Sequence, residues 1–251
     1  MTLGLIGSGN MARALARGWG EPVLCTDGGS GRARALVAEV GGEALSSNSE
    51  LARRADMVVL CHKPAQLEAV AAEVDGEAQA IVSVLGATSL QRLHAAYPGA
   101  QVARAMPNTA VEVREGVVCL CQDGGGDEFQ VQVRELFGRV GRVVEVPERL
   151  IDVATAIAGV APAYTALIAE AQIDAAVRHG MPSSLAADLT VSSLAGSATL
   201  LAERGADTLG VRREVASPGG LTARGLDALE RGGVRSAFMD AMEAVLEGSR
   251  R

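Results

Sequence analysis

Aromatic residues are scarce in this chain of 251 residues, at 2% of the sequence, although hydrophobic residues of all kinds make up 48%. A core with so few rings has to be built from alanine, leucine and valine, which favours closely packed helices. Positive charge is also in short supply, because the formal net charge is −7. Without a basic surface to hold a polyanion, or rings on which bases could stack, the composition argues against a nucleic-acid partner.

Cysteine is sparse as well. The chain has four cysteines, with no CxxC pair and no histidine at metal-ligand spacing, so we expect no metal site. Cys25 and Cys61 lie in apolar, strand-like runs, where a buried free thiol acts as a small hydrophobic group. This usage fits a reducing, cytoplasmic compartment. Met1 leads straight into an apolar strand without a basic segment, so we expect no signal peptide.

Long hydrophobic runs are limited too. The longest uncharged run covers residues 153–169, which is short for a membrane span. It contains Gly159 and Pro162 and is bounded by Asp152 and Glu170. We interpret it as a buried helix and expect no membrane association.

The first part of the chain alternates short apolar strands with helical patterns, which predicts a parallel sheet with crossover helices. The fold class is therefore α/β, with an N-terminal Rossmann-type doubly wound sheet. The predicted strands cover residues 3–7, 23–27, 57–61, 80–82, 102–104, 116–121 and 142–146. The predicted helices between them cover residues 11–19, 32–39, 49–54, 65–74, 89–96 and 127–137.

After Pro147 the chain is rich in alanine and leucine and shows almost none of the alternation of a strand. We place a dinucleotide-binding domain at residues 1–149 and an all-helical oligomerisation and substrate domain at residues 150–251. An apolar helical domain this small would expose much of its surface alone, so we expect the protein to associate with itself. The helical patterns cover residues 149–179, 183–204, 221–230 and 234–248.

A glycine-rich turn follows the first apolar strand and opens a helix. The residues Gly7-Ser8-Gly9-Asn10-Met11-Ala12 form the pattern GxGxxA. Gly7 would make the tight turn, Gly9 would let a pyrophosphate approach the backbone, and Ala12 would allow the helix to pack closely on the strand. This pattern at the first strand of an alternating chain predicts a dinucleotide site.

The residues after the second strand bear on which dinucleotide binds. Asp27 at a strand end can bind a ribose 2′-hydroxyl, which favours NAD(H). Ser30 and Arg32 could instead hold a 2′-phosphate, which favours NADP(H), and Asp27 would oppose that phosphate unless it turns away. The sequence leaves this choice open.

Two further loops follow strands at the edge where ligands bind in such sheets: residues 61–64 and residues 104–109. His62 and Lys63 invite assignment as proton donors. We favour a different role for both, in which they line the ribose or phosphate face of the cofactor.

The run Ser217-Pro218-Gly219-Gly220-Leu221-Thr222 predicts a binding site for a carboxylate. Pro218 presets its backbone angle, the glycines permit unusual conformations, and Thr222 opens a new helical pattern. A helix start offers unpaired N–H groups and the positive end of a dipole to an anion. The alternative interpretation is an ordinary capping turn.

Together these motifs resemble the pyrroline-5-carboxylate reductase family over nearly the whole chain. The resemblance implies a Rossmann domain, a helical dimerisation domain and often a ring of dimers. It also implies NAD(P)H-dependent reduction of 1-pyrroline-5-carboxylate to L-proline. The motifs that carry it are IGxGNMA at residues 6–12, VxxxKP at 59–64, RAMPNT at 104–109, PAY at 162–164, SPGGxT at 217–222 and GGxRxAxxxA at 232–241.

The resemblance also implies roles for individual residues. The SPGGxT loop would receive the substrate carboxylate through backbone N–H groups and two hydroxyls, and Thr222 would lie closest to the ring nitrogen as the candidate catalytic residue. The implied substrate-binding residues are Ser217, Gly219, Gly220, Leu221 and Thr222. The implied pyrophosphate ligands are Gly7, Ser8, Gly9, Asn10 and Met11; Asn48 would approach the adenosine ribose; Lys63, Pro107 and Asn108 would lie along the nicotinamide half. Further candidate cofactor-binding residues are His62, Pro64 and Met106.

The chain departs from the family pattern at three places. The family usually has SGSG before PAY, whereas this chain has Ala158-Gly159-Val160-Ala161, without hydroxyls. The proline that usually follows PNT is Ala110, and Asp27-Gly28 replaces the usual asparagine–arginine pair. These changes keep two alternatives open: a reductase of another cyclic imine, and a non-catalytic dinucleotide-binding relative. A hydroxyacid dehydrogenase is excluded, because the predicted helix over residues 152–177 lacks the lysine that such enzymes use.

Overall fold

The structure is a computed structural model that describes residues 1–122 and 126–249. The chain forms two compact units. The first contains the described residues of Met1–Pro162 together with residues 245–249, and the second is Ala163–Ala244. The domain boundary between residues 149 and 150 stays a prediction.

The first unit is built around one sheet, in which the described residues form eight strands in the order β3-β2-β1-β4-β5-β6-β7-β8. All neighbouring strands are parallel except β6 and β7. The α/β fold class is therefore confirmed. The strands are β1 (Leu3–Ile6), β2 (Val23–Thr26), β3 (Gly42–Ala44), β4 (Met57–Leu60), β5 (Ala80–Ser83), β6 (Gln101–Pro107), β7 (Gly116–Cys121) and β8 (Gly141–Val146).

Helices cover both faces of this sheet. Successive side chains of a strand point to opposite sides, so the buried strands contribute apolar residues to a core on each face. Leu5 of β1 packs into a core with Trp19 and Phe137, while Ile6 packs into a second core on the other face. The helices of this unit are α1 (Asn10–Trp19), α2 (Arg32–Val40), α3 (Asn48–Arg54), α4 (Leu67–Val74), α5 (Leu90–Ala96), α6 (Asp127–Gly138) and α7 (Ile151–Ala158). Short 3-10 turns lie at Pro64–Gln66, Thr109–Val113 and Glu148–Leu150.

The single helix predicted over residues 149–179 is wrong, because the chain breaks after α7 and continues as α8 (Ala161–Arg178). Pro162 has no N–H, so it cannot bond the carbonyl of Ala158 four residues before it. The side-chain amide of Asn108 donates to that carbonyl instead, at 3.0 Å. The helix thus ends where the side chain of Asn108, which follows β6, replaces the missing backbone donor.

The second unit consists of helices whose apolar side chains are largely exposed. Ala186 and Thr190 are its buried residues, whereas Leu167 is 64% exposed and Met239 is 66% exposed. Within residues 153–169 only Ala156 of α7 is buried and α8 contributes no buried residue, so the predicted buried helix is wrong for the single chain. The remaining helices are α9 (Ser183–Glu203), α10 (Thr208–Val215), which the sequence analysis missed, α11 (Leu221–Arg231) and α12 (Val234–Ser249).

Two segments of the chain, Glu148–Arg178 and Ser183–Glu203, are long and apolar enough to cross a membrane by length and composition alone. The same properties are found in helices that pack against another subunit. Many leucines, methionines and valines of this unit are exposed in the single chain, and large exposed apolar patches are typical of interaction sites.

Candidate functional site

A cavity of about 760 Å³ lies beyond the carboxyl ends of β1, β2 and β4. The strand order reverses at β1, and ligands bind at such a point in open α/β sheets. The predicted cofactor-binding residues that line the cavity are Gly7, Ser8, Gly9, Asn10, Met11, Asp27, Ser30, Arg32, Asn48, His62, Lys63 and Pro64. Lining residues that the sequence analysis missed include Thr26, Ser46, Gln66, Glu73 and Leu85.

The two glycines of the turn have different surroundings. Gly7 has a φ of +98°, and a Cβ added there would lie 2.7 Å from the backbone nitrogen of His62. A Cβ added at Gly9 would meet nothing within 4 Å, although Gly9 lines the cavity. Gly7 is therefore needed for packing against the loop after β4. Gly9 keeps open the space at the N-terminus of α1, as a phosphate cradle requires.

The carboxylate of Asp27 is turned toward the loop that follows β2. It accepts hydrogen bonds from the N–H groups of Gly29, at 2.8 Å, and Ala33, at 2.9 Å, and from the hydroxyl of Ser30, at 3.0 Å. These bonds, with that from Ala33 as the largest contribution, hold the pKa of Asp27 below its ordinary value. The carboxylate is therefore ionised at neutral pH and organises the start of α2.

Asn48 belongs to a chain of hydrogen bonds that joins three elements. The hydroxyl of Thr26 donates to Oδ1 of Asn48 at 2.6 Å, and Nδ2 of Asn48 donates to the carboxylate of Glu73 at 2.5 Å. Thr26 ends β2, Asn48 opens α3 and Glu73 lies near the end of α4. The network fixes the orientation of the Asn48 amide at the cavity wall.

His62 and Lys63 line the cavity from the loop after β4. Nδ1 of His62 donates to the carbonyl of Lys63 at 2.9 Å, which leaves Nε2 as an acceptor in the neutral ring. Nε2 is buried and has no partner among the residues that the structure describes. Burial lowers the pKa of His62. A buried, unpaired acceptor in a cavity wall suits a ligand that brings a hydrogen-bond donor.

The four cysteines all lie among the described residues and form no disulfide bond. Cys61 adjoins His62, and burial raises the pKa of its thiol to about 12, which disfavours the reactive thiolate. Within residues 1–122 and 126–249, no three or more histidine, cysteine, aspartate or glutamate side chains are grouped as a metal site would need.

Met106, Pro107 and Asn108 do not line this cavity. Both polar atoms of the Asn108 amide are engaged within the protein: Nδ2 donates to Ala158, and Oδ1 accepts from the N–H of Val117 at 3.2 Å. The assignment of these three residues to the cofactor stays a prediction. The structure shows a further role for Asn108 that the sequence did not indicate, because its side chain binds the last carbonyl of α7.

The run from Ser217 to Thr222 forms the predicted turn and helix start. Gly219 has a φ of +70°, and the N–H of Gly220 donates to the carbonyl of Ser217 at 3.0 Å. Gly220 is the N-cap of α11 and provides no side-chain cap. Leu221 is 88% exposed. The first N–H groups of α11 are thus available to an anion, and their binding role stays a prediction.

Comparison with known proteins supports the motifs. A family model described as "Pyrroline-5-carboxylate reductase dimerisation" matches residues 148–251, and one described as "NADP oxidoreductase coenzyme F420-dependent" matches residues 2–86. The pyrroline-5-carboxylate reductase of Synechocystis sp. is 34% identical, and the match covers 98% of this chain and 96% of that protein. The chain belongs to the pyrroline-5-carboxylate reductase family. The reductase of Thermus thermophilus is 37% identical, with 97% of this chain and 95% of that protein covered.

Solved structures of the family have the same fold. The pyrroline carboxylate reductase of Plasmodium falciparum, with NADP bound, superimposes with a TM-score of 0.88 at 29% identity, covering 99% of this chain and 97% of that chain. The 1-pyrroline-5-carboxylate reductase of Streptococcus pyogenes gives a TM-score of 0.89 at 27% identity, covering 99% and 98%.

Proposed function

We propose that this protein reduces 1-pyrroline-5-carboxylate to L-proline with NADH or NADPH, the last step of proline biosynthesis. The observation that carries the proposal is the cavity beyond β1, β2 and β4, which collects most of the predicted cofactor residues in a chain of this family. Open space beside Gly9 and the unpaired Nε2 of His62 fit a dinucleotide there.

The residues of the first unit would bind and orient the cofactor. The N–H groups at the start of α1 would donate to the pyrophosphate, and Nε2 of His62 would accept from a ribose hydroxyl. Lys63 would neutralise phosphate charge from the opposite loop. When bound, a reduced nicotinamide supplies the hydride for C5 of the cyclic imine.

The loop from Ser217 to Thr222 would hold the substrate. Its N–H groups and hydroxyls would bind the carboxylate, and Thr222 would orient the ring nitrogen or relay its proton through water. An iminium that is already protonated needs no strong acid, so positioning carries the reaction. Positioning can lower a barrier by about 7–11 kcal/mol in favourable cases.

The stretch from Ala158 to Ala161 favours one second candidate, a reductase of another cyclic imine. It carries no hydroxyl where the family usually has two serines. If those hydroxyls contact the substrate in relatives, each missing hydrogen bond would cost about 0.5–1.5 kcal/mol of binding. Turnover of piperideine carboxylate or unsubstituted pyrroline above that of pyrroline-5-carboxylate would favour this candidate.

We also propose that the protein is a cytoplasmic homodimer. Four cysteines that form no disulfide bond with one another support a reducing compartment. The exposed apolar surface of the helical unit and the dimerisation match support self-association. Sedimentation equilibrium would distinguish a dimer from a ring of dimers, and a monomer at micromolar concentration would contradict the proposal.

The decisive experiment is a steady-state assay with pyrroline-5-carboxylate and each reduced nicotinamide. Thr222→Ala should lower kcat while leaving cofactor affinity nearly unchanged. Thr208→Ala is the matched control, because Thr208 opens the neighbouring helix α10 in the same unit. Cofactor binding without turnover of any cyclic imine would indicate a non-catalytic relative. Equal loss of turnover and cofactor affinity in Thr222→Ala would contradict the role of Thr222.

A further inference from the structure

We propose that the cavity selects NADH over NADPH, because the carboxylates of Asp27 and Glu73 both line its wall, where their negative charge would repel a 2′-phosphate. The inference rests on the proposed function, since it assumes that the cavity holds the dinucleotide. In this fold the adenosine ribose lies at the end of β2, where Asp27 stands.

The first argument concerns hydrogen-bond donors. A 2′-phosphate is bound by N–H and hydroxyl groups of the loop after β2 and by arginine. Here the N–H groups of Gly29 and Ala33 and the hydroxyl of Ser30 already donate to Asp27. A phosphate would have to displace a carboxylate that these bonds hold in its ionised form.

The second argument concerns Asn48. Its Nδ2 donates to Glu73 and its Oδ1 accepts from Thr26, so the donor that could serve a phosphate faces a carboxylate instead. Ribose hydroxyls can donate to that carboxylate, whereas a phosphate dianion has no proton to donate. Glu73 therefore adds a second negative charge to the same part of the cavity wall.

The opposing group is Arg32, whose guanidinium is exposed and can pair with a phosphate. Lys63, the other positive residue of the cavity wall, follows β4 rather than β2. An exposed side chain gains little from a single ion pair, because water screens it and its mobility is lost. The carboxylate of Asp27 is half-buried and fixed by three hydrogen bonds, so its charge, joined by that of the exposed Glu73, should outweigh the charge of Arg32.

The test is calorimetric binding of ADP-ribose and 2′-phospho-ADP-ribose to the full chain, with NADH and NADPH titrated in parallel. We expect the 2′-hydroxyl ligand of each pair to bind about tenfold more tightly or better at low salt, the scale of one charge repulsion at a partly exposed site. Raising the salt concentration should reduce the ratio of the two dissociation constants, because salt screens the repulsion between charges. Asp27→Asn and Glu73→Gln should each narrow it further, because they keep oxygen acceptors and remove the charges.

Glu77→Gln is the matched control, because Glu77 lies just beyond α4, is exposed and does not line the cavity. It should leave the ratio unchanged. Native protein that binds the 2′-phosphate ligands equally or more tightly would overturn the inference and leave the proposed function standing. A ratio unaffected by both Asp27→Asn and Glu73→Gln would overturn it too. Absence of binding by all four ligands would instead contradict the proposed function.

Discussion

Gly9→Ala separates the fold of the glycine turn from its capacity to hold a cofactor. Gly9 has φ −78° and ψ −171°, which alanine adopts without strain. The added methyl group would meet no atom of the protein within 4 Å. We therefore expect the free energy of unfolding of the ligand-free protein to change by less than about 1 kcal/mol.

The same methyl group should weaken cofactor binding. It would project into the cavity beside the N–H groups of Asn10 and Met11, where we place the pyrophosphate. A hydrogen bond to a charged group contributes about 1.5–3 kcal/mol, so the loss of one would raise the Kd about 10- to 150-fold.

Gly7→Ala provides the contrast. Gly7 has a φ of +98°, and its added Cβ would lie 2.7 Å from the nitrogen of His62 and 2.8 Å from the carbonyl carbon of Cys61. Backbone atoms cannot move away as a flexible side chain can, so we expect Gly7→Ala to lower the free energy of unfolding by about 1–3 kcal/mol or more. Urea unfolding without ligand and calorimetric titration with NADH and NADPH measure the two quantities. The reasoning is refuted if Gly9→Ala binds like the native protein, or if it destabilises as much as Gly7→Ala.

Three further outcomes are expected. Lys63 is the only lysine of the chain and lines the cavity, so saturating cofactor should slow its acetylation, measured by mass spectrometry; undiminished labelling would argue against the cofactor site. Arg104 is 4% exposed and pairs with Glu148 at 3.4 Å and Asp152 at 3.3 Å. Arg104→Met should therefore lower the free energy of unfolding, measured in urea, by about 1–3 kcal/mol. An unchanged free energy of unfolding would count against a stabilising role for these ion pairs. Burial lowers the pKa of His62 in the folded protein, so unfolding takes up a proton and the free energy of unfolding falls as the pH drops below the ordinary value of 6.5. In urea unfolding between pH 5 and 7.5, His62→Gln should flatten the dependence of the midpoint on pH. An unchanged dependence on pH would contradict this prediction.

The position of the cavity could be predicted from the sequence for a simple reason. Parallel strands place their carboxyl ends at one edge, so the residues following β1, β2 and β4 meet there wherever the strands are recognised. The hydrogen bond from Asn48 to Glu73 could not be predicted, because it joins residues 25 positions apart on two different helices. No local periodicity encodes how those helices pack.

The missed elements are short and have weak local signals. β3 has three residues and begins at Gly42, whose φ of +104° reflects close contact with Val23 rather than strand propensity. A Cβ there would lie 2.0 Å from the carbonyl oxygen of Val23. The pairing with β2 thus depends on the absence of a side chain, and a propensity argument counts that absence against a strand.

The break between α7 and α8 depends both on Asn108 of the RAMPNT motif and on the missing N–H of Pro162. The resemblance assigns Asn108 to the cofactor, yet its amide bonds the carbonyl of Ala158 and the N–H of Val117. Pro162 makes this necessary, because without its N–H the carbonyl of Ala158 would be left unpaired near the buried end of β6. An effect of Asn108 on the reaction would then pass through the position of residues 158–161, the stretch in which this chain lacks the family's serines. Substitutions at residue 108 and at residues 158–161 should therefore be coupled in a double-mutant cycle rather than additive.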